Sequence, residues 1–386
     1  MTDGRKLRIA VASAGRFHVL DLARELAALG HDVRFYSFVP RKRAIRFGLP
    51  AECHVGLLPY VAALILLERI APKFLPRFVQ RLHHTILDRV VTALLQPCDV
   101  FIGMSGLYVG AALKARRRYG AKIFIERGSR HILSQRDILA AIPGAGMPQP
   151  STIALELAGY ELADKVVVPS LHAEQSFIDQ GVPRQKLFRN AYGVELADFS
   201  LSDGAGPVER TGDALFVGQW SLRKGVDLLV EAVRALPGTR LLHAGTLIDA
   251  PFPADPQFVH LGPVDQQRLA ELYRRAAVLV LPSREDGFGL VLIQALACGL
   301  PILCSDRTGG EDLKVMIARP EAISIVPHDD IAALTAALGE ALRRAPQLAG
   351  ADLLGDQGRE LLTWRAYAKR YEAALYSALG EEQRPG

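Results

Sequence analysis

The chain has 386 residues, of which 49% are apolar and 23% are charged. This length predicts two domains, each large enough to bury its own core, and the apolar fraction excludes an intrinsically disordered chain. No apolar run is long enough for a transmembrane helix, and the first residues lack the pattern of a secretory signal. Residues 1–200 carry a net charge of +10 and residues 201–386 carry −5, which indicates two domains with different partners.

The first half begins with a predicted strand, turn and helix. An apolar run over Leu7–Ala12 predicts the strand, and Ser13–Gly15 predicts a turn of small residues. The periodicity of Leu20–Leu29 predicts the helix, which Gly30 ends as a C-terminal cap, and Val33–Phe38 completes a βαβ unit. The alternation continues with strands at Val100–Ile102, Lys122–Ile125 and Lys165–Val168 and with helices at Val109–Tyr119 and from Thr152. The first half is therefore predicted to be a doubly wound α/β domain.

The second half repeats this alternation after a polar break. Residues 197–213 contain Gly, Pro and Ser without periodicity, so we expect a linker here, at 201–213. Strands are predicted at Ala214–Val217, Arg240–Ala244, Phe258–Leu261, Val278–Leu281, Pro301–Cys304 and Ile323–Val326, and helices at Val226–Leu236, Gln266–Ala276, Leu290–Cys298, Ile331–Arg343 and Trp364–Leu379. The predicted units are an N-terminal domain at 1–200, a C-terminal domain at 214–362 and a terminal helical segment at 363–386.

Glycine turns follow several predicted strands of the second half. They lie at 216–220, 260–262, 281–290 and 308–313. A strand–turn–helix connection leaves backbone N–H groups unpaired near the positive end of the helix dipole, and a diphosphate is the natural ligand there. Gly287 and Gly289 would let the backbone approach the phosphates, while Arg223 and Lys224 would neutralise their charge. One such turn is typical of any α/β protein, but several at one edge of a sheet indicate a ligand crevice.

Five motifs occur in a definite order along the chain. They are LARELAALGHDV at 22–33, FVG at 216–218 with KGVDLL at 224–229, PSREDGFGLVLIQALACGLPI at 282–302, GGEDL at 309–313 and TWRAYAKRYEAALY at 363–376. Together they resemble the retaining glycosyltransferases of the GT-B architecture, family 4 in particular. The resemblance implies an α/β fold of two Rossmann-like domains facing a cleft. It also implies that the C-terminal helix crosses back to the first domain.

The resemblance further implies roles for residues of the second domain. The family has two glutamates eight positions apart around the Gly-Phe-Gly turn, of which the first contacts the donor sugar and the second holds the ribose hydroxyls. Here these positions are Asp286 and Gln294, and Glu285 stands beside the first as an alternative carboxylate. Gln219 replaces the arginine that follows FVG in the family, so Arg223 is expected to serve as a phosphate cation.

The predicted site has a catalytic and a donor-binding part. Glu126, at a strand end of the first domain, is interpreted either as a base for the acceptor hydroxyl or as an ion-pair partner. His131 is the nearest match to a histidine that lies beside the donor sugar in the family. The catalytic candidates are thus Asp286, Glu285, His131 and Glu126. The donor-binding candidates are Gly15, Gln219, Arg223, Lys224, Gly262, Gly287, Phe288, Gly289, Leu290 and Gln294, and no metal ligands are expected.

A basic, partly apolar segment runs from Arg34 to Arg89. It holds ten Lys and Arg residues against three acidic residues, with apolar side chains between them. This composition is typical of a protein face that binds an anionic membrane or an anionic acceptor. The alternative interpretation is an ordinary solvent-exposed helix face that covers the core. No recognised nucleic-acid motif accompanies the charge, so nucleic acid is not an expected partner.

The expected function is that of a retaining glycosyltransferase of the hexosyltransferase class that needs no metal or other cofactor. Its nucleoside-diphosphate-sugar donor would serve a lipid-linked or polysaccharide acceptor in cell-surface glycan synthesis, lipopolysaccharide included. An epimerase or phosphorylase of the same fold, or a non-catalytic nucleotide-sugar-binding subunit, is the alternative, the latter suggested by Asp286 and Gln294. The chain has only four cysteines, which are interpreted as small buried side chains rather than disulfides, and this favours the reducing cytoplasm. The basic segment favours the inner face of the plasma membrane.

Overall fold

The computed structural model describes residues 5–70, 76–201, 210–348 and 350–380. Within these ranges the chain forms two α/β domains, each built on a parallel β-sheet. Alternate residues of the first strand join two different apolar clusters, Ile9 and Val11 in one and Ala10 and Ala12 in the other. Both faces of this sheet are therefore buried, which explains why the strand is an almost continuous apolar run.

The first sheet has seven strands. They are β1 (Arg8–Ser13), β2 (Asp32–Ser37), β3 (His54–Gly56), β4 (Val100–Met104), β5 (Lys122–Glu126), β6 (Lys165–Val168) and β7 (Leu187–Arg189), in the spatial order β3-β2-β1-β4-β5-β6-β7. The helices of this domain are α1 (His18–Ala28), α2 (Arg41–Arg46), α3 (Leu58–Ile70), α4 (Pro76–Leu94), α5 (Val109–Tyr119), α6 (Ile132–Ala140), α7 (Pro150–Leu162) and α8 (Leu171–Asp179). The order reverses between β1 and β4, which is the switch point where doubly wound sheets bind ligands.

The second sheet has six strands. They are β8 (Ala214–Val217), β9 (Leu241–Ala244), β10 (Phe258–His260), β11 (Val278–Leu281), β12 (Ile302–Ser305) and β13 (Ile323–Val326), in the order β10-β9-β8-β11-β12-β13. The helices that follow the linker are α9 (Val226–Arg234), α10 (Gln266–Arg275), α11 (Leu290–Ala297), α12 (Gly310–Lys314), α13 (Ile331–Leu348), α14 (Gly355–Leu361) and α15 (Trp364–Leu379). Here the switch point lies between β8 and β11.

The C-terminal helix α15 confirms the predicted return to the first domain. It packs on α1, and the hydroxyl of Tyr376 donates to the backbone oxygen of Arg5 at 2.9 Å. His31 and Glu372 also meet across this contact, with 2.9 Å between Nε2 and Oε1. The side chain of Thr363 caps the helix by accepting from the backbone N–H of Ala366. Helix α15 therefore packs against the first domain and stabilises the contact between α1 and the residues before β1.

The predicted linker falls largely outside the described residues, which omit 202–209. Its described end is fixed to the second domain, because the guanidinium of Arg210 donates to the backbone oxygens of Ala276 and Gly299 at 2.5 and 2.6 Å. None of the described helices has both the length and the apolar character needed to cross a membrane.

Candidate active site

A cavity of about 1130 Å³ lies between the two domains. Its walls are formed by segments that directly follow strands of both sheets: β1, β4 and β5 of the first domain and β8 and β11 of the second. The carboxyl ends of the two parallel sheets therefore face each other across this space, as expected for a ligand site in doubly wound folds.

The loop 282–289 between β11 and α11 forms the second-domain wall. Phe288, Gly289 and Leu290 line the cavity. Gly287 does not line it, because its backbone lies against the first domain: a Cβ at this position would stand 1.9 Å from the oxygen of Gly128. The hydroxyl of Ser170 donates to the carbonyl oxygen of Gly287 at 2.6 Å. The predicted phosphate loop is thus also part of the contact between the domains.

Lys224 and Asp286 face each other on the same wall. The Lys224 ammonium and the Asp286 carboxylate form an ion pair, and both side chains are only 14% exposed. Burial raises the pKa of Asp286, but the positive charges of Lys224 and Arg223 outweigh burial. The pKa of Asp286 therefore lies below its usual value, and the carboxylate stays ionised. Gly225 follows with φ at 70°, where a Cβ would lie 2.1 Å from the oxygen of Pro282, so glycine is required to seat Lys224 against the loop.

Glu285 does not line the cavity although it is adjacent to Asp286. It is completely buried, and its carboxylate accepts from Arg223 at 3.1 Å, from Gln135 at 3.1 Å and from the hydroxyl of Ser129. Burial raises the pKa of Glu285, but Arg223 and the hydrogen bonds from Ser129 and Gln135 outweigh burial and lower it. Since Ser129 and Gln135 belong to the first domain, Glu285 joins the two domains, and Asp286 is the carboxylate at the cavity.

Gln294 lines the cavity from the first turns of α11. Its Oε1 accepts a hydrogen bond from the hydroxyl of Tyr273 at 3.0 Å. Burial raises the pKa of Tyr273 well above its usual value, so this hydroxyl remains a donor. The side-chain oxygen of Gln294 is therefore fixed by the protein.

Several predicted donor residues do not reach the cavity. Arg223 is held at Glu285, where its guanidinium also donates to the Glu285 backbone oxygen at 2.9 Å. Gly262 uses its carbonyl oxygen to accept from Gly245. Gln219 is exposed and does not line the cavity. Gly15 does not line it either, although Ala14 and Arg16 do, and its carbonyl oxygen accepts from the Ser13 hydroxyl. The reason is common to all four: a turn exposes only some of its residues to the cleft.

His131 is likewise not brought to the cavity. It is 3% exposed, and its ring packs against Tyr160 and Phe177 with centroid separations of 5.1 and 4.9 Å. Burial, with a smaller contribution from Arg127, lowers the pKa of His131 to about 4, so the ring is neutral. Its Nδ1 accepts from the backbone N–H of Leu133 and caps α6. The structure therefore assigns it to the helix cap and the core.

Glu126 stands behind the wall, and His18 covers it. Glu126 is 1% exposed and does not line the cavity. Its Oε2 lies 2.9 Å from Nε2 of His18, a lining residue, and its Oε1 accepts from the hydroxyl of Tyr367 at 3.2 Å. Glu126 thus does not contact the cavity itself; it contacts His18, which does.

Sequence reasoning missed most of the first-domain wall. Arg127, Tyr192 and Trp364 line the cavity together with His18. Arg127 is fixed by Glu156 at 2.8 Å. The polar run at the end of β5 was a usable signal for Arg127, and the turn after β1 was one for His18. No local sequence pattern indicates that Tyr192 and Trp364 line the cavity. Tyr192 belongs to the segment before the linker and Trp364 to the terminal helix, and both reach the cavity only through the tertiary fold.

The basic segment reaches one rim of the cavity. Arg46 and Phe47 line it, and the guanidinium carbon of Arg16 lies 3.5 Å from the centroid of the Phe47 ring. Arg46 has no ion-pair or hydrogen-bond partner within the described part of the chain. On α2, Arg41 and its basic neighbours are exposed. The side chains of Arg69, Lys73 and Arg77, which the sequence adds to this face, lie outside the described residues.

The two facing sheets, the cleft between them and the returning C-terminal helix define the GT-B class of glycosyltransferases. Residues 14–193 match the family described as "Glycosyl transferase 4-like domain", and residues 211–344 match the family described as "Glycosyl transferases group 1". The N-terminal domain thus matches one glycosyltransferase family, and the C-terminal domain matches another.

Curated relatives of the chain are D-inositol 3-phosphate glycosyltransferases. The protein of Mycobacteroides abscessus is 34% identical over 39% of this chain and 38% of its own length. That of Acidothermus cellulolyticus is 25% identical over 84% of this chain and 77% of its own. For the first of these relatives, the match thus spans well under half of the protein.

Solved structures share the whole architecture. Sucrose-phosphate synthase from Thermosynechococcus elongatus superposes with a TM-score of 0.67 at 22% identity, covering 96% of this chain and 98% of its own. Anabaena Alr3699/HepE, solved in complex with UDP and glucose, superposes with a TM-score of 0.64 at 11% identity, covering 96% and 100%. At these levels of sequence identity, the structural similarity establishes a shared fold and nothing further.

Proposed function

We propose that this enzyme transfers a sugar from a nucleoside-diphosphate sugar to an acceptor hydroxyl, with retention of the anomeric configuration and without a metal ion. The observation that carries the proposal is the pairing of Lys224 with Asp286 on a cavity wall formed by the strand–turn–helix loop 282–289. A partly buried cation, a partly buried carboxylate and the N-terminus of a helix on one wall can hold the diphosphate and the sugar of such a donor.

Each element has its own part in the reaction. Lys224 and the N–H groups of the loop stabilise the diphosphate as its negative charge grows during bond cleavage. Asp286 accepts hydrogen bonds from the donor sugar, and the amide of Gln294 hydrogen-bonds the ribose. Because Lys224 is paired with Asp286 before the donor arrives, the phosphate shares this cation with the carboxylate. The closed contact between the domains excludes water and limits hydrolysis.

The acceptor is proposed to be a lipid-linked or polysaccharide glycan in cell-surface glycan synthesis, reached by an enzyme docked peripherally on the cytoplasmic face of the plasma membrane. Support comes from the exposed cations of α2 and the exposed Ile45 on the same helix, and from the exposed Tyr60 and Leu66 of α3. Arg46 continues this surface to the rim of the cavity. The similarity to D-inositol 3-phosphate glycosyltransferases favours a second candidate, a small acceptor that carries a phosphate.

A thermal-shift screen with UDP, GDP and ADP and their sugars tests the donor half of the proposal. One nucleoside diphosphate is expected to raise the unfolding midpoint, since a ligand at 100 times its Kd stabilises by about 2.7 kcal/mol. Lys224→Ala is expected to remove this shift, and Lys369→Ala, an exposed lysine of α15, is the matched control. Absence of any shift would contradict nucleotide-sugar binding.

Release of nucleoside diphosphate then tests the chemistry. A transferase releases it only when an acceptor is present, whereas an epimerase converts the donor sugar without such release. The acceptor panel comprises D-inositol 3-phosphate and an isoprenoid-diphosphate-linked sugar, which distinguishes the two acceptor candidates. Binding of the donor without turnover on any acceptor would favour the non-catalytic subunit.

A further inference from the structure

Two arginines on the first-domain wall of the cavity have no counter-charge. In the described part of the chain, the Lys and Arg side chains that line the cavity are Arg16, Arg24, Arg46, Arg127 and Lys224. Arg24, Arg127 and Lys224 are each paired with a carboxylate. Arg16 and Arg46 form no ion pair and no hydrogen bond with any residue that the structure describes. These two positive charges are therefore left for a ligand.

Both arginines adjoin Phe47, which also lines the cavity. Arg46 is the last residue of α2 and directly precedes Phe47. Arg16 lies in the turn after β1, and its guanidinium carbon stands 3.5 Å from the centroid of the Phe47 ring. The guanidinium carbon of Arg43 lies 6.0 Å from the same centroid. A guanidinium stacked on an aromatic ring is held in place while the N–H groups at its edge stay available to an anion.

The fold holds Phe47 in this position. The guanidinium of Arg24 donates to the backbone oxygen of Phe47 at 3.2 Å, which ties the end of α2 to α1. Gly48 follows with φ at 83°, and a Cβ at this position would lie 2.8 Å from Cδ of Arg24. A larger residue would therefore disturb the contact. Phe47 is fixed by the protein, and it in turn positions Arg16.

Three carboxylates that line the cavity are engaged by Arg24. Its guanidinium donates to Asp21 and to Glu25, each at 2.9 Å, and its Nη2 lies 3.5 Å from Glu195. These carboxylates thus do not serve as ion-pair partners of the two free arginines.

Arg16 keeps its charge at a cost. Partial burial lowers the pKa of Arg16, the carboxylate of Asp21 opposes this effect, and the positive charge of Arg43 lowers the pKa further. A guanidinium nevertheless stays charged at neutral pH. An oxyanion bound here would offset both the burial of the cation and its repulsion by Arg43.

We propose that Arg16 and Arg46 bind a phosphate group of the acceptor, so that the acceptor is a phosphate-bearing molecule rather than a neutral glycan. The inference rests on the proposed glycosyl transfer and names the class of its acceptor. Guanidinium groups bind phosphate through charge-assisted and often bidentate hydrogen bonds. A small polyol phosphate and an isoprenoid-diphosphate-linked sugar both supply such a group. Both arginines are exposed at the rim, so a long acceptor can extend outwards from them.

The test removes the charges singly and together, with Arg16→Gln, Arg46→Gln and the double variant. Transfer is measured to D-inositol 3-phosphate and to an isoprenoid-diphosphate-linked sugar, each compared with the same molecule without its phosphate. The pair on which the unmodified chain is active identifies the source of the phosphate. The matched control is Arg117→Gln, Arg118→Gln, which removes two exposed cations of α5 outside the cavity.

Each single variant is expected to raise KM for the phosphorylated acceptor about 10-fold, with kcat and the affinity for nucleoside diphosphate within about twofold. The double variant is expected to use phosphorylated and unphosphorylated acceptors about equally, because nothing then remains to distinguish them. The control is expected to keep the preference of the unmodified chain for the phosphate.

Phe47→Leu separates a positioning role from a general loss of packing. It is expected to raise KM for the phosphorylated acceptor about threefold in the unmodified chain and to have no further effect in the Arg16→Gln background, since the ring acts through Arg16. A loss of packing alone would raise KM equally in both backgrounds, and this result would contradict the role of the ring.

Three outcomes overturn the inference. The arginine variants could keep a normal KM for the phosphorylated acceptor, or raise KM equally for the unphosphorylated one. They could also lose affinity for nucleoside diphosphate, which would assign them to the donor. In each case the unmodified chain still transfers sugar, so the proposed function survives.

Calorimetry tests the phosphate site without turnover. D-inositol 3-phosphate and the isoprenoid-diphosphate-linked sugar are titrated into the chain saturated with UDP or GDP. Binding that depends on Arg16 and Arg46, in a chain that transfers no sugar, would support the phosphate site and overturn the proposed function. Absence of both binding and transfer would overturn both.

Discussion

The two walls of the cavity are constructed in different ways. The second-domain wall comes mostly from one continuous loop and its adjacent helix, with Lys224 from the turn that precedes α9. The first-domain wall brings together distant parts of the chain: His18 and Glu126 are 108 positions apart, and Glu126 and Tyr367 are 241 apart. The wall proposed to bind the donor is therefore a local feature of the sequence, and the opposite wall depends on the whole fold.

This difference suits the proposed division of the site, with the donor on the second-domain wall and the acceptor on the first. A diphosphate is recognised by backbone N–H groups and a cation, which a single loop can supply. An acceptor is recognised by side chains around its hydroxyl, and these can be changed one at a time on separate elements. The predictions below test this division between the walls.

Lys224→Ala is expected to have the largest effect. It removes the buried cation from the departing diphosphate and leaves Asp286 without its partner, so turnover should fall about 30- to 1000-fold, on the order of 2–4 kcal/mol of transition-state stabilisation. Steady-state kinetics measures the loss, and the exposed Lys369→Ala variant serves as control. Turnover close to normal would remove the donor site from this wall.

Asp286→Asn should lower turnover about 10- to 100-fold. The amide keeps the shape of the side chain but removes the charge that faces the cavity, so the affinity for nucleoside diphosphate should change little. Kinetics and calorimetry on the same variant separate the two effects. A silent Asp286→Asn beside an inactive Glu285→Gln would mean that Glu285, rather than Asp286, serves the donor sugar.

Glu285→Gln should act mainly on stability. The amide weakens the buried contacts with Arg223 and the first domain, at a cost of about 1–3 kcal/mol in the free energy of unfolding. Because the pKa of Glu285 is lowered in the folded chain, its contribution is present at neutral pH and is lost as the pH falls below about 4. Urea unfolding should therefore separate variant and parent at pH 7 and not in acid. The exposed Glu340→Gln variant should show no such difference.

The double variant Arg41→Gln, Lys42→Gln should weaken binding to anionic liposomes several-fold, in a salt-sensitive way. Both side chains are exposed on α2, on the acceptor side of the molecule. The matched control is Arg117→Gln, Arg118→Gln, which removes two exposed cations from α5 of the same domain. Co-sedimentation with vesicles measures the binding. Equal losses from both double variants, or equal binding to neutral vesicles, would contradict a docking face.

Gln294→Glu is expected to have the smallest effect, within about threefold in activity or donor affinity. Glutamate restores the residue of the family and can still accept from the Tyr273 hydroxyl, while its charge strengthens a hydrogen bond from ribose by about 1 kcal/mol. A large loss would show that the amide N–H of Gln294 is needed as a donor. Donor affinity by calorimetry decides between the two results.

The sequence by itself determined the alternation of strands and helices and the location of the loop 282–289. β6, β8, β11, β13, α5 and α15 run over the predicted residues, because a strand buried on both faces and a helix with one apolar side each produce a local pattern. The strands β3 and β7, both three-residue edge strands of the first sheet, were not predicted. The Gly-Phe-Gly turn was visible for the same local reason.

Only the tertiary structure decided which side chains meet. Asp286 and Glu285 are neighbours, and nothing in their order shows that one faces the cavity and the other joins the domains. His131 belongs to a helix cap, while His18 covers Glu126. The physical reason is that a turn lacks the fixed side-chain period of a strand or helix, so the direction of each residue depends on what packs against it. Contacts such as that of Tyr367 with Glu126 exist only after the last helix has returned to the first domain.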